Sequence, residues 1–194
     1  MNKKIKLMMT FISAISLSWP AHAASPGIFG GVGLDYSYLA DFDGTTQYGP
    51  SWTQGQRFFI GYNYSATIGF EAAYTQYGHT NYTVKASSDM NVDYRLKSLT
   101  GVVKAYVPLG SFDVYGILGF AEMYGVGDTR IGSTKLSSSS EQGMVSTAGL
   151  GASYLFTSYL VTSLEFIRTG KKGSNVNSGI PNTKMFSLNV ALVI

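Results

Sequence analysis

The sequence predicts an all-β chain: an eight-stranded, antiparallel, up-and-down barrel that crosses a membrane. Three observations carry this expectation. Apolar residues alternate with small or polar ones over eight short segments, and a period of two marks a strand with two unlike faces. Long polar connections alternate with short turns along the chain. Charged side chains are missing from the middle of the apolar face and collect on the opposite one.

The first segment, residues 28–38, sets Ile28, Val32, Leu34, Tyr36 and Tyr38 against Phe29, Gly31, Gly33, Asp35 and Ser37. Residues 56–64 set Phe58, Ile60, Tyr62 and Tyr64 against Arg57, Phe59, Gly61 and Asn63. Residues 67–77 set Ile68, Phe70, Ala72 and Tyr74 against Gly69, Glu71, Ala73 and Thr75. In residues 99–107, Leu99, Gly101, Val103, Ala105 and Val107 oppose Thr100, Val102, Lys104 and Tyr106. Residues 112–123 alternate least regularly, with Val114, Leu118 and Phe120 opposite Asp113, Tyr115 and Gly119. Residues 144–154, 160–168 and 184–194 complete the set, the last reading Phe186, Leu188, Val190, Leu192 and Ile194 against Ser187, Asn189 and Ala191.

The connections 39–55, 78–93, 125–142 and 169–183 are long and polar, the third containing the run Ser137 to Ser140. Those near 65–66, 108–111 and 156–159 are short. Antiparallel outer-membrane barrels place long loops outside the cell and short turns in the periplasm. The charges agree. Arg57, Glu71, Lys104 and Glu165 fall on the inward face and form the expected interior charge network. Glu122 and Arg168 fall outward, but near the outer strand ends, where the cost of a charge drops to about 1 kcal/mol or less. The same strands would fit a soluble lipocalin-like barrel or sandwich, but the two faces would then need a different polarity pattern.

The N-terminus reads as a secretory signal. Lys3, Lys4 and Lys6 precede an apolar stretch from Leu7 to about Trp19, and Ala21, His22 and Ala23 form a small-x-small site with cleavage after Ala23. The apolar stretch is shorter than the roughly 20 residues of a spanning helix. A buried N-terminal helix is the competing reading, which the ordered match of all three parts disfavours. The expected division is a signal over 1–23 and a barrel domain over 24–194. Without Lys3, Lys4 and Lys6, the 14 Lys and Arg become 11, equal to the 11 Asp and Glu. No surplus of basic charge is left for a nucleic-acid partner. The chain contains no cysteine, which excludes a disulfide scaffold and a thiolate metal site. Aromatics make up 14% of it, with 23 Gly and five Pro, a composition suited to strands.

Chemistry finds few candidates. Nucleophilic hydrolysis needs a Ser, a His base and an orienting acid, and beyond the signal His79 is the one histidine. Its loop-base position reads as solvated. One histidine without cysteine supplies too few ligands for zinc. Asp41 with Asp43 and Asp89 with Asp93 read as solvated loop carboxylates rather than a calcium site. Gly30, Gly31 and Gly33 open no helix, so they form no nucleotide loop. No cofactor is expected, and no catalytic or metal-ligating residue is assigned.

Gly61-Tyr62, Gly69 through Tyr74, Lys104 through Pro108, Phe112 through Tyr115 and Val161 through Phe166, in this order and phase, resemble the OmpA-type outer-membrane barrel family. The resemblance covers nearly all of residues 24–194. It implies a polar interior with Glu71 and Lys104 as an interior acid and base. Ser153 and Ser163 stand where that pattern often has an acid and an arginine, Ile117 replaces an arginine and Gly33 a lysine. Ile194 stands where many such barrels end in an aromatic residue. The family's longer members add a periplasmic peptidoglycan-binding domain, for which no segment follows the eighth strand here.

The sequence therefore predicts a non-catalytic barrel of the cell outer membrane in a Gram-negative bacterium, with a structural or surface-interaction role through four extracellular loops. Tyr48, Trp52, Tyr82 and Tyr94 are the candidate loop contacts. The expected partners are outer-membrane lipid, lipopolysaccharide and a host or other surface ligand; oligomeric state is left open. A narrow ion or small-solute channel is the alternative, and a lipid A–modifying enzyme the second.

Overall fold

The computed structural model describes residues 24–48, 52–85, 87–173 and 179–194. The expected export signal, residues 1–23, lies outside them. Ten strands form in order: β1 Gly27–Leu39, β2 Thr45–Tyr48, β3 Thr53–Ser65, β4 Ile68–Gln76, β5 Thr80–Val84, β6 Ser87–Leu109, β7 Phe112–Ile131, β8 Thr134–Thr157, β9 Leu160–Thr169 and β10 Thr183–Val193.

Eight of them close a ring. β1 pairs with β3 and β10, β4 with β3 and β6, and β7 joins β6 to β8, which leads through β9 back to β10. Every pairing is antiparallel. Closure pairs the strand backbones around the whole wall without water, the condition for crossing hydrocarbon. The turns at 66–67, 110–111 and 158–159 lie at one end of the barrel. Gly110 takes φ 79° there, a left-handed conformation that costs glycine little.

The alternation separates two surfaces. Leu34, Leu118 and Leu150 are 72%, 69% and 69% exposed, on an outer wall that is apolar because lipid, not water, covers it. Inward residues such as Ser187, Asn189, Glu165 and Arg57 are buried.

The long-loop end departs from expectation. Most of the segments 78–93 and 125–142 are strand rather than loop: β6, β7 and β8 rise together, and β5 and β2 add to the edge of β6. A tilted spanning strand needs about 9–11 residues, whereas β7 has 20 and β8 has 24. The surplus of about 10 residues carries this sheet roughly 30 Å past the bilayer along the strand direction. The serine run Ser137 to Ser140 lies within β8, its first three residues paired with Thr129, Asp128 and Gly127.

Candidate functional site: the barrel lumen and its outer mouth

Four inward side chains from four strands meet in the lumen. Arg57 on β3 donates through Nη2 to Glu71 Oε1 at 2.5 Å and through Nη1 to Glu165 Oε2 at 3.0 Å. Lys104 on β6 donates to Glu71 Oε2 at 2.5 Å and to Glu165 Oε1 at 2.7 Å. Each cation thus touches both acids, and the four formal charges cancel. All four residues are buried, with Arg57 only 2% exposed. Burial in a low-dielectric interior is tolerable only with such pairing.

Tyr115 on β7 is a fifth member that the sequence reading did not single out. Its hydroxyl donates to Glu165 Oε1 at 2.8 Å, and its ring lies 5.1 Å from Lys104 Nζ. The signal was present in its inward phase, one register step from Lys104 across the β6–β7 ladder, where Ile117 faces Lys104 and Tyr115 faces Tyr106. Gly151 makes the room: a Cβ there would stand 2.5 Å from the Tyr115 ring.

The lumen is narrow on both sides of this network. The cavity toward the short turns, lined by Phe29, Phe59, Tyr106 and Ser153, has a volume of about 40 Å³. Toward the long loops, beside Thr75, Tyr77, Val102 and Met185, it is about 10 Å³. These volumes have room for roughly three waters and one. Ile117 is buried beside the network, and Ser163 accepts a hydrogen bond from Asn189 Nδ2 at 3.2 Å.

Above it, the mouth is covered by an apolar cluster containing Leu39, Phe42, Tyr82, Tyr94, Leu96 and Ile180. Phe42 meets Tyr82 and Tyr94 edge-on, with centroids at 5.3 and 5.5 Å. Tyr82 donates to the Ala40 carbonyl at 3.0 Å and Tyr94 to that of Gly179 at 3.1 Å. Burial pushes both phenols well above their usual pKa, keeping them donors.

Two of the four loop contacts expected from sequence, Tyr82 and Tyr94, are therefore corrected. Tyr82 and Tyr94 are 0% and 1% exposed and offer nothing to a partner, because the segments folding over the mouth use them as core. Trp52 stacks on Tyr36 at 5.4 Å and lies 5.7 Å from Phe186, on the outer wall rather than on a loop tip. Tyr48 falls in β2, and its side chain lies outside the described set. His79 is largely exposed, its Nδ1 3.6 Å from Asp93 Oδ1. Asp41 and Asp43 are exposed.

On the rising sheet, Asp128 gathers Arg95 Nη2 at 2.7 Å, Lys135 Nζ at 2.8 Å and Ser138 Oγ at 2.6 Å. Hydrogen bonds from Lys135 and Ser138 hold its carboxyl down at about 2.

The family model for the outer membrane protein beta-barrel domain matches residues 9–193. The chain belongs to this family. It is a Gram-negative outer-membrane protein, and its wall, lumen and mouth take their orientation from that membrane, with the long-loop end outside the cell. Among solved structures, it is similar to Neisserial surface protein A, with a TM-score of 0.62 at 15% identity, over 87% of this chain and 97% of that one. It is also similar to Ail, the attachment invasion locus protein of Yersinia pestis, with a TM-score of 0.57 at 14% identity, over 88% and 100%. At such identities the likeness is one of fold. By sequence, no curated protein matches the chain.

Proposed function

We propose that this outer-membrane barrel is non-catalytic and works through its extracellular surface, with the lumen as a static plug. One observation carries the reading: the lumen is bridged by the Arg57–Glu71–Lys104–Glu165 network and covered above by the Phe42–Tyr82–Tyr94 cluster. An eight-stranded barrel has room for little beyond its own side chains. The paired outer parts of β6, β7 and β8 rise above the membrane and form a surface suited to contact. Ail has been solved in complex with the heparin analogue sucrose octasulfate, which supports surface ligands as a theme among barrels of this shape. Residues 1–23 would serve as the export signal, removed after Ala23, and 24–194 as the barrel domain.

Planar-bilayer recording tests the plug. The expected result is silence from the wild-type protein. Stepwise currents that disappear in Lys104→Met would overturn the reading in favour of a channel. Mass spectrometry of lipid A from cells with and without the protein addresses catalysis; an unchanged profile is expected, and a modified one would make the barrel an enzyme.

A further inference from the structure

On the outer wall, β9 and β10 set two cations side by side. Arg168 and Lys184 are direct cross-strand partners, and both are exposed. Like charges directly opposite destabilise a strand pair, so the arrangement needs a counter-charge. The described residues do not supply one. The ion pairs among the described residues go to other cations. The flanking positions in the ladder are Ala148 beyond Arg168 and Tyr38 beyond Lys184. The connecting segment 169–183 adds Lys171 and Lys172 and contains no Asp or Glu. Lys172 is engaged elsewhere, with the Gln142 carbonyl at 2.8 Å and Glu141 at 3.6 Å. Another outward cation at this level, Lys97, has Glu122 diagonally across the β6–β7 ladder.

The position of the pair identifies the missing anion. One step toward the membrane centre, Phe166 and Phe186 face each other with centroids 4.9 Å apart, and Trp52 packs on Phe186 at 5.7 Å. Below them come Leu164 and Leu188, both more than half exposed. Aromatic side chains at the top of an apolar wall mark the headgroup boundary. Arg168 and Lys184 therefore stand at phosphate depth in the outer leaflet, above a path for acyl chains. We infer that Arg168 and Lys184 form a binding site for the phosphate of an outer-leaflet lipid, the lipid A part of lipopolysaccharide, with its chains lying over Phe166, Phe186 and Leu188. Arginine offers a fork to two phosphate oxygens and lysine a point charge beside it. The site depends on the outer-membrane placement and is independent of whether the lumen conducts.

The test is native mass spectrometry of the protein extracted from outer membranes in mild detergent, followed by titration with lipid A. Near an anionic surface each cation contributes enough for roughly fivefold in affinity, so Arg168→Gln/Lys184→Gln is expected to bind lipid A roughly thirtyfold more weakly. Either single variant should show about a fivefold loss, which keeps the test open should the double variant fold poorly, as judged by heat-modifiable gel migration. Lys171→Gln should bind as the wild type does. Dephosphorylated lipid A should bind wild type and variant equally. Equal binding of lipid A by wild type and double variant would overturn the inference. So would an equal loss in Lys171→Gln, which would mean diffuse attraction by the loop. Displacement by inorganic phosphate at the same concentration would assign the pair to a free anion instead.

Discussion

Replacing Glu165 by Gln removes one negative charge from the lumen and almost no volume. Oε1 of Glu165 accepts from Lys104 at 2.7 Å and Tyr115 at 2.8 Å, and Oε2 accepts from Arg57 at 3.0 Å. The amide keeps one acceptor and turns an NH₂ group toward a cation, leaving Arg57 and Lys104 to share Glu71 alone. An uncompensated buried charge of this kind costs about 3–5 kcal/mol. Lys104→Met errs in the opposite direction, leaving Glu71 and Glu165 with Arg57 alone, at a similar cost of about 3–5 kcal/mol. The double variant is neutral again and keeps the Arg57–Glu71 pair. It should lose no more stability than either single variant, a coupling of at least about 3 kcal/mol. The assay is urea-dependent unfolding of the barrel in phospholipid vesicles, read as the heat-modifiable fraction on gels and extrapolated to zero denaturant. A double variant whose loss equals the sum of the two singles would refute the four-charge network as a single unit.

Gly151→Ala should destabilise the barrel by roughly 1–3 kcal/mol, because the new methyl meets Tyr115 at 2.5 Å. Gly101→Ala, into open space, should stay within about 0.5 kcal/mol in the same unfolding assay. Tyr82→Ala should loosen the mouth at a cost of roughly 3–5 kcal/mol, seen as new cleavage within 39–48 and 80–94 when protease is added to intact cells; an unchanged digestion pattern would contradict the buried role of Tyr82. The Asp128 cluster predicts a pH dependence of the rising sheet. Its carboxyl lies at about 2 in the folded protein against an ordinary 3.8. That contribution is fully present above the ordinary value and is lost as pH falls through about 2. Amide exchange at the β7–β8 tip should therefore accelerate over that window in the wild type and not in Asp128→Asn.

The legible parts of this protein are those that a membrane constrains locally. A spanning strand has lipid on one face and a polar lumen on the other, so period two is written into residues 28–38, 56–64 and 184–194, and a one-residue slip would invert every side chain. Closure followed from the same pattern, since lipid allows no open edge, and so did the inward phase of Arg57, Glu71, Lys104 and Glu165. That phase is one-dimensional, however. It does not say that β3, β4, β6 and β9 stagger so that each cation reaches both acids, or that Tyr115 completes the set.

Above the membrane the constraint disappears. Both faces of a water-exposed strand can be polar, so residues 125–142, with their serine run, carry no alternating signal and read as loop, although β7 and β8 continue through them. Tyr82 and Tyr94 show the same limit from the other side. An aromatic residue in a polar segment reads as a contact awaiting a partner, and only the return of residues 40–44 and 179–180 over the mouth supplies that partner from within the chain. The sequence by itself determined the eight membrane crossings and the polarity of the two faces, because hydrophobic matching acts residue by residue. Only the tertiary structure decided the closed mouth, the coupled charges and the unpaired Arg168–Lys184 step, because each depends on strand register between segments distant in the chain.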